Sequence, residues 1–140
     1  HFVTGGSTVS ETWRPAATLG DAISQHGASS FGAHDTHETC VSHNSMRVSR
    51  RLLQWGAPRR REGEAHLVAH AEYYERALLN AVLGTQRGEE PGRMLYFLPL
   101  GVGVSKASPQ SWRHAGWSTP SGDFWCCMGT GIEAFAMYRY

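Results

Sequence analysis

Two stretches of this chain repeat their apolar residues at helical spacing, and that periodicity constrains the fold more than any other feature. From about Glu38 to Trp55, Val41, Val48, Leu52 and Trp55 recur at intervals of seven, four and three, and Gly56 with Pro58 ends the run. From about Glu64 to Leu83, Leu67, Ala71, Tyr74, Leu78 and Val82 form a second stripe at four, three, four and four, with Gly84 as the C-terminal stop. A third helix is expected from Thr130, where Thr130-Gly131-Ile132-Glu133 reads as a capping box and Phe135 and Ala136 open a buried face. Between them, Arg93 to Leu98 is a short apolar run before Pro99 that suits a strand or an extended crossing segment. Gly101, Gly103, Pro109 and Pro120 mark loops, and residues 1–35, rich in Gly, Ser, Thr and Ala, read as long loops around a short element. The architecture expected is mainly α.

Size and charge set the outer limits. At 140 residues the chain is one domain, and with 41% apolar residues it can bury a core. It begins at His1 without an initiator Met and stops on Tyr140 within an element, so we read it as a piece of a larger protein. A formal charge of +1 gives no electrostatic pull toward nucleic acid or a membrane surface. The Arg59-Arg60-Arg61 cluster reads as a solvated loop. No apolar run approaches the roughly 20 residues that span a bilayer. Compartment is left open, with the secretory pathway or the exterior slightly favoured.

Chemistry enters with the cysteines. There are three, too few for a paired disulfide framework. Cys126 and Cys127 are adjacent, while Cys40 closes the triplet Glu38-Thr39-Cys40. Three thiols and a carboxylate make four ligands, the number a tetrahedral zinc takes. Zinc would hold a thiol deprotonated, and a helix start beside the pair would add to that, so the pattern points to a metal-held sulfur nucleophile. On a regular helix Glu38 and Cys40 point roughly 200° apart; in an extended segment or a first helical turn they can face the same way. Cys126 and Cys127 need comparable help from a turn, which the glycines at 129 and 131 allow. The bland alternative makes Glu38 part of an Asp35-x-x-Glu38 capping box and Cys40 a small buried residue.

The strings Glu38-Thr39-Cys40, Tyr73-Tyr74-Glu75-Arg76-Ala77-Leu78 with Asn80, Leu95-Tyr96-Phe97-Leu98-Pro99-Leu100, and Phe124-Trp125-Cys126-Cys127 with Gly129-Thr130-Gly131-Ile132-Glu133 resemble glycoside hydrolase family 127. This is the β-L-arabinofuranosidase family, formerly a domain of unknown function, and the closer match is to its plant-like branch. The resemblance implies the later part of an (α/α)6 barrel, with this chain as a partial catalytic domain that is inactive alone. It implies zinc bound by Glu38, Cys40, Cys126 and Cys127, with Cys126 as the nucleophile that forms a thioglycosyl intermediate and configuration retained. Glu11, in the Gly/Ser-rich loop upstream, takes the acid/base position, and Tyr96 the place of a sugar contact. The implied substrate is an arabinofuranose-bearing glycan or glycopeptide.

Some positions depart from that branch: His43-Asn44-Ser45-Met46 follows the first cysteine, Met128 follows the pair, and Ala81 stands in place of a Gly. These bear on packing and substrate fit more than on the metal. His37 is a competing ligand, and His66 with His70 lie four apart on the second helix, where they could clasp a metal. Two other readings are kept: a non-catalytic zinc-stabilised carbohydrate-binding or scaffold module, and a redox switch built on a vicinal disulfide.

Overall fold

The computed structural model describes residues 36–56, 64–99, 105–106 and 116–137. They form a strand β1 (Thr36–Glu38), a long helix α1 (Thr39–Gly56), a helix α2 (Glu64–Arg76), a strand β2 (Phe97–Pro99) and a helix α3 (Cys126–Ala136). The described chain is mainly helical, as the periodicity implies. No described helix is long and apolar enough to cross a membrane.

Helix α1 starts directly after β1 because Glu38 caps it: the carboxylate accepts from the Val41 backbone N–H at 3.1 Å. Glu38 is thus itself the capping residue, while Asp35, its expected partner in a capping box, lies outside the described residues. The buried face of α1 differs from the expected stripe. Thr39, Ser42, His43, Ser45, Met46 and Ser49 are buried, whereas Val48 and Trp55 are 58% and 69% exposed. Small hydroxyl residues allow α2 and α3 to approach closely, and Ser45 satisfies its own hydroxyl by donating to Val41 O at 2.8 Å. Apolar periodicity alone therefore selects the wrong face of this helix.

Helix α2 continues as a π-helix over Ala77–Val82 and a final 3₁₀ turn over Leu83–Thr85. The wider π turn brings Ala77, Ala81 and Val82 fully inside. Ala77 and Val82 join Met46 of α1 and Ala134 of α3 in one core cluster, with Tyr73, Tyr74 and Leu78 packed on it. Tyr74, Leu78 and Val82 of the expected stripe thus face inward, but Ala71 is exposed. The helical run ends at Thr85 rather than at a left-handed Gly84. Thr85 Oγ1 donates to Val82 O at 2.7 Å, and Gln86 is extended. At the other end of the hairpin, a Cβ on Gly56 would collide with Leu67, so glycine there permits α1 and α2 to meet.

A return segment crosses from the end of this helix to β2. Gln86 bridges Met94 in antiparallel fashion, Leu95 N donates to Thr85 O at 2.9 Å, and Glu90 pairs with both Arg87 (3.1 Å) and Arg93 (2.7 Å). The expected strand is confined to Phe97–Pro99, antiparallel to β1 with Glu38 opposite Phe97. Thr39 locks the joint: its N–H and its hydroxyl both reach Tyr96 O, at 3.3 and 3.2 Å. That contact carries the Glu38–Cys40 corner onto the Tyr96 segment.

Helix α3 begins at Cys126, four residues before the expected start at Thr130. The expected capping box is absent. Thr130 Oγ1 bonds back to Cys127 O at 3.1 Å, and Glu133 instead faces His43 (3.4 Å) and Arg47 (3.7 Å) of α1. Trp125, in extended conformation, holds the cap position without a side-chain cap bond. Gly129 and Gly131 lie inside the helix rather than making a turn. Gly131 is buried against the return segment, where a Cβ would sit 3.3 Å from Met94 Cε.

Candidate metal centre and active site

Two helix starts meet at one place. Cys40 is the second residue of α1, and Cys126 and Cys127 are the first two of α3. The positive ends of both helix dipoles therefore lie at the thiols and the Glu38 carboxylate, which accepts from the Val41 N–H. This is the first-turn geometry that lets Glu38 and Cys40 face the same way. For the vicinal pair no special turn is needed, because the helix start itself splays the two side chains toward the site.

The ligand atoms of Glu38, Cys40, Cys126 and Cys127 all lie within 4.8 Å of one another. Cys127 Sγ is 3.4 Å from Cys40 Sγ and donates to Glu38 Oε1 at 3.1 Å, while Cys126 Sγ is 3.9 Å from the same oxygen. Ligands held at zinc's usual bond lengths in a tetrahedron stand roughly 3.3 to 3.8 Å apart, so the four atoms need only small shifts to share one ion. Among the described residues this is the one such group of His, Cys, Asp or Glu. His37, buried next to Glu38 on β1, is not part of it, nor are His66 and His70.

Protonation follows from the crowding. Cys127, fully buried, has its thiol pushed up, first by its hydrogen bond to Cys40 and then by burial and the Glu38 charge. Cys40 is pulled down, first by its hydrogen bond with Cys127, against burial and the Glu38 charge. Burial raises Cys126, opposed by its hydrogen bond with Tyr96. A group of three sulfurs and a carboxylate resists full ionisation without a cation among them. A divalent cation would reverse this, so the donor set fits a metal ion both in geometry and in charge.

The four donors are not equivalent in access. Glu38 and Cys127 are buried, Cys40 is half-buried and Cys126 is exposed. Cys126 Sγ lies 3.4 Å from Tyr96 Oη, and the Tyr96 ring stands edge-on to Trp125 at 5.9 Å and tilted on Phe97 at 4.5 Å. Tyr96 thus borders the exposed sulfur. Glu11 lies outside the described residues, as does Arg59-Arg60-Arg61. Two residues of the site escape a reading of the ligand types: Thr39, whose bonds to Tyr96 O align the two halves, and Thr130, whose Oγ1 is 3.3 Å from Cys40 Sγ. Both sit within the strings that carry the family resemblance, but a threonine there gives no chemical signal by itself.

A mainly α chain whose helix starts gather three thiols and one carboxylate, one sulfur facing out beside an aromatic residue, carries a donor cluster that could hold a metal ion. The chain belongs to the family of the β-L-arabinofuranosidase GH127 catalytic domain, whose model matches residues 1–139. It is accordingly a glycoside hydrolase by family, and its substrates are glycans. No curated protein and no solved structure matches the chain.

Proposed function

We propose that this chain contributes the nucleophile and metal centre of a retaining β-L-arabinofuranosidase. The observation that carries the proposal is the contrast between Cys126 and Cys127: adjacent residues in one four-donor group, one exposed and one buried. A purely structural metal site does not require an accessible sulfur. A nucleophile does, provided its neighbours hold the centre together. Glu38, Cys40, Cys126 and Cys127 would hold the implied zinc ion, which when bound would keep the Cys126 sulfur ionised and make it a better leaving group.

In the first half-reaction Cys126 Sγ attacks the anomeric carbon, forming a C–S bond as the glycosidic C–O bond breaks. Glu11 donates its proton to the departing oxygen. In the second, the Glu11 carboxylate takes a proton from water, whose oxygen attacks the same carbon and displaces Cys126 Sγ. Two inversions give retained configuration. Acid/base assistance of this kind is worth about 10² to 10⁴ in rate. Tyr96 steadies the attacking sulfur through its hydroxyl and offers a ring edge to the sugar.

We read residues 1–140 as one part of a catalytic domain, the later part of an (α/α)6 barrel, that does not turn over substrate by itself. The test is therefore made in the full-length enzyme, with an aryl β-L-arabinofuranoside as substrate. Cys126→Ser is expected to abolish turnover while most of the zinc remains, and the unaltered enzyme to show a sugar adduct on Cys126 by mass spectrometry. Full turnover by Cys126→Ser would remove the sulfur from the mechanism.

A further inference from the structure

Thr130 sits one helical turn beyond the vicinal cysteines, on the face of α3 that meets α1. Its hydroxyl oxygen lies 3.1 Å from Cys127 O, 3.4 Å from Cys126 O and 3.3 Å from Cys40 Sγ. A hydroxyl has one proton and two lone pairs, so it cannot donate in all three directions at once. Either atom of the Thr130–Cys40 pair can be the donor, and the hydroxyl proton can go to the helix carbonyls or to Sγ. A sulfur bound to a cation has no proton to give, and a rotation about the Thr130 Cβ–Oγ1 bond turns the hydroxyl proton onto it. No backbone movement is required for the exchange.

We propose that Thr130 is a positioning residue of the metal centre, donating its hydroxyl proton to the Cys40 thiolate in the metal-bound state. The inference rests on the metal reading of the four-donor group and adds a residue to it. Three thiolates and a carboxylate bring four negative charges to a dication, leaving an excess of two. A hydrogen bond on Cys40 Sγ draws charge from that sulfur and ties the one thiolate supplied by α1 to the helix that supplies the other two. The Thr130 methyl group alone cannot do this. Partners of this kind outside the ligand set are typically worth 10- to 100-fold in metal affinity.

The experiment uses the full-length protein, freed of metal under reducing conditions and titrated with Co²⁺, then with Zn²⁺ against a competing chelator. Thr130→Val, which keeps the shape and removes the hydroxyl, is expected to weaken Zn²⁺ binding about 10- to 100-fold. Its thiolate-to-cobalt charge-transfer band should move to lower energy, because a sulfur without the hydrogen bond gives up its electrons more readily. Thr130→Ser should restore both affinity and band position. Unchanged affinity and band in Thr130→Val would overturn the role of the hydroxyl while leaving the metal centre standing, and so would a Thr130→Ser variant that behaves like Val. If the unaltered protein takes up no Co²⁺, the metal reading falls and this inference with it.

Discussion

Cys40 Sγ and Cys127 Sγ lie 3.4 Å apart, although 87 residues separate them in sequence. Each is the second residue of its helix, and the two helix starts face one another across that contact. The closeness is made by backbone: Thr39 binds the α1 start to the 95–96 segment, and Cys127 Sγ reaches Tyr96 O at 3.8 Å on the other side. The fold therefore brings the two sulfurs to one place. A charge-crowded group of this kind is one that a cation should stabilise strongly.

Removing the metal should accordingly cost stability. Structural zinc contributes roughly 10 to 16 kcal/mol in small peptides, and a domain with its own core depends on it less. For a domain near this size each kcal/mol moves the melting midpoint by about 3 to 5 °C, so chelation is expected to lower it by about 10 °C or more. Cys127→Ala should reproduce the drop without chelator, because it removes the buried holding ligand. Differential scanning calorimetry with and without added Zn²⁺ checks both. An unchanged midpoint on chelation would mean that the four donors hold nothing.

The same short distance predicts a specific cross-link. In metal-free Cys126→Ser protein, Cys40 and Cys127 are the thiols that remain within residues 1–140. Treatment with a hydroperoxide should join them, two thiols and one hydroperoxide giving a disulfide, an alcohol and water. Bound zinc should protect both sulfurs. Peptide mapping under non-reducing conditions reads the outcome. A product dominated by sulfinic acid rather than the Cys40–Cys127 link would mean the sulfurs do not approach as described.

Much of this centre was legible because ligand chemistry depends on residue type, and thiols and carboxylates announce themselves. Cys40, Cys126 and Cys127 stand out because they are the chain's three thiols and Glu38 because it sits two residues before Cys40, while the full ligand set is what the family resemblance implies; the mainly helical character follows from periodicity. What periodicity does not reveal is which face is packed. On α1 the inward positions are Ser42, His43, Ser45 and Ser49, polar side chains chosen for close approach, while Val48 and Trp55 face outward. The π turn at Ala77–Val82 also breaks the 3.6-residue count on which the second stripe was projected. Thr130 looked like a helix cap because a Thr-x-x-Glu string has that form. Its actual partners, Cys40 Sγ and the carbonyls of the preceding turn, become visible only when α3 starts four residues earlier. The departures from the plant-like branch fall on packed positions: His43, Ser45, Met46, Ala81 and Met128 are all buried.

Gly131 should be the least tolerant glycine of α3. A Cβ there would stand 3.3 Å from Met94 Cε and 3.4 Å from Gln86 Nε2, so two side-chain ends of the return segment lie close against the helix at this position. Branched side chains cannot be absorbed by a small shift of the methionine tip. Gly131→Val is expected to destabilise by about 1 to 3 kcal/mol, the usual cost of overpacking. Denaturant unfolding measures it. Gly129→Val, where a Cβ meets nothing within 4 Å, is the control and should cost far less.

Acid should weaken the fold through its buried histidines. His37 is 1% exposed, and burial lowers its pKa to about 4. Burial also lowers His43, against the pull of the Glu133 carboxylate. Above the unfolded-state value near 6.5 both states carry neutral imidazoles, and the stability due to burying them is fully present. As pH falls below that value the unfolded chain takes up protons that the folded chain refuses, so stability declines until the folded value is reached. For His37 the window runs from about 6.5 down to about 4, and the loss across it is about 3 kcal/mol. His43 adds in the same direction. The measurement is unfolding free energy against pH for the unaltered protein and for His37→Gln, both stripped of metal so that ligand protonation does not contribute through metal release. His37→Gln should show a shallower slope within that window and the same slope above it. Parallel curves throughout would show that His37 binds its proton equally in both states, and that its burial carries no electrostatic cost.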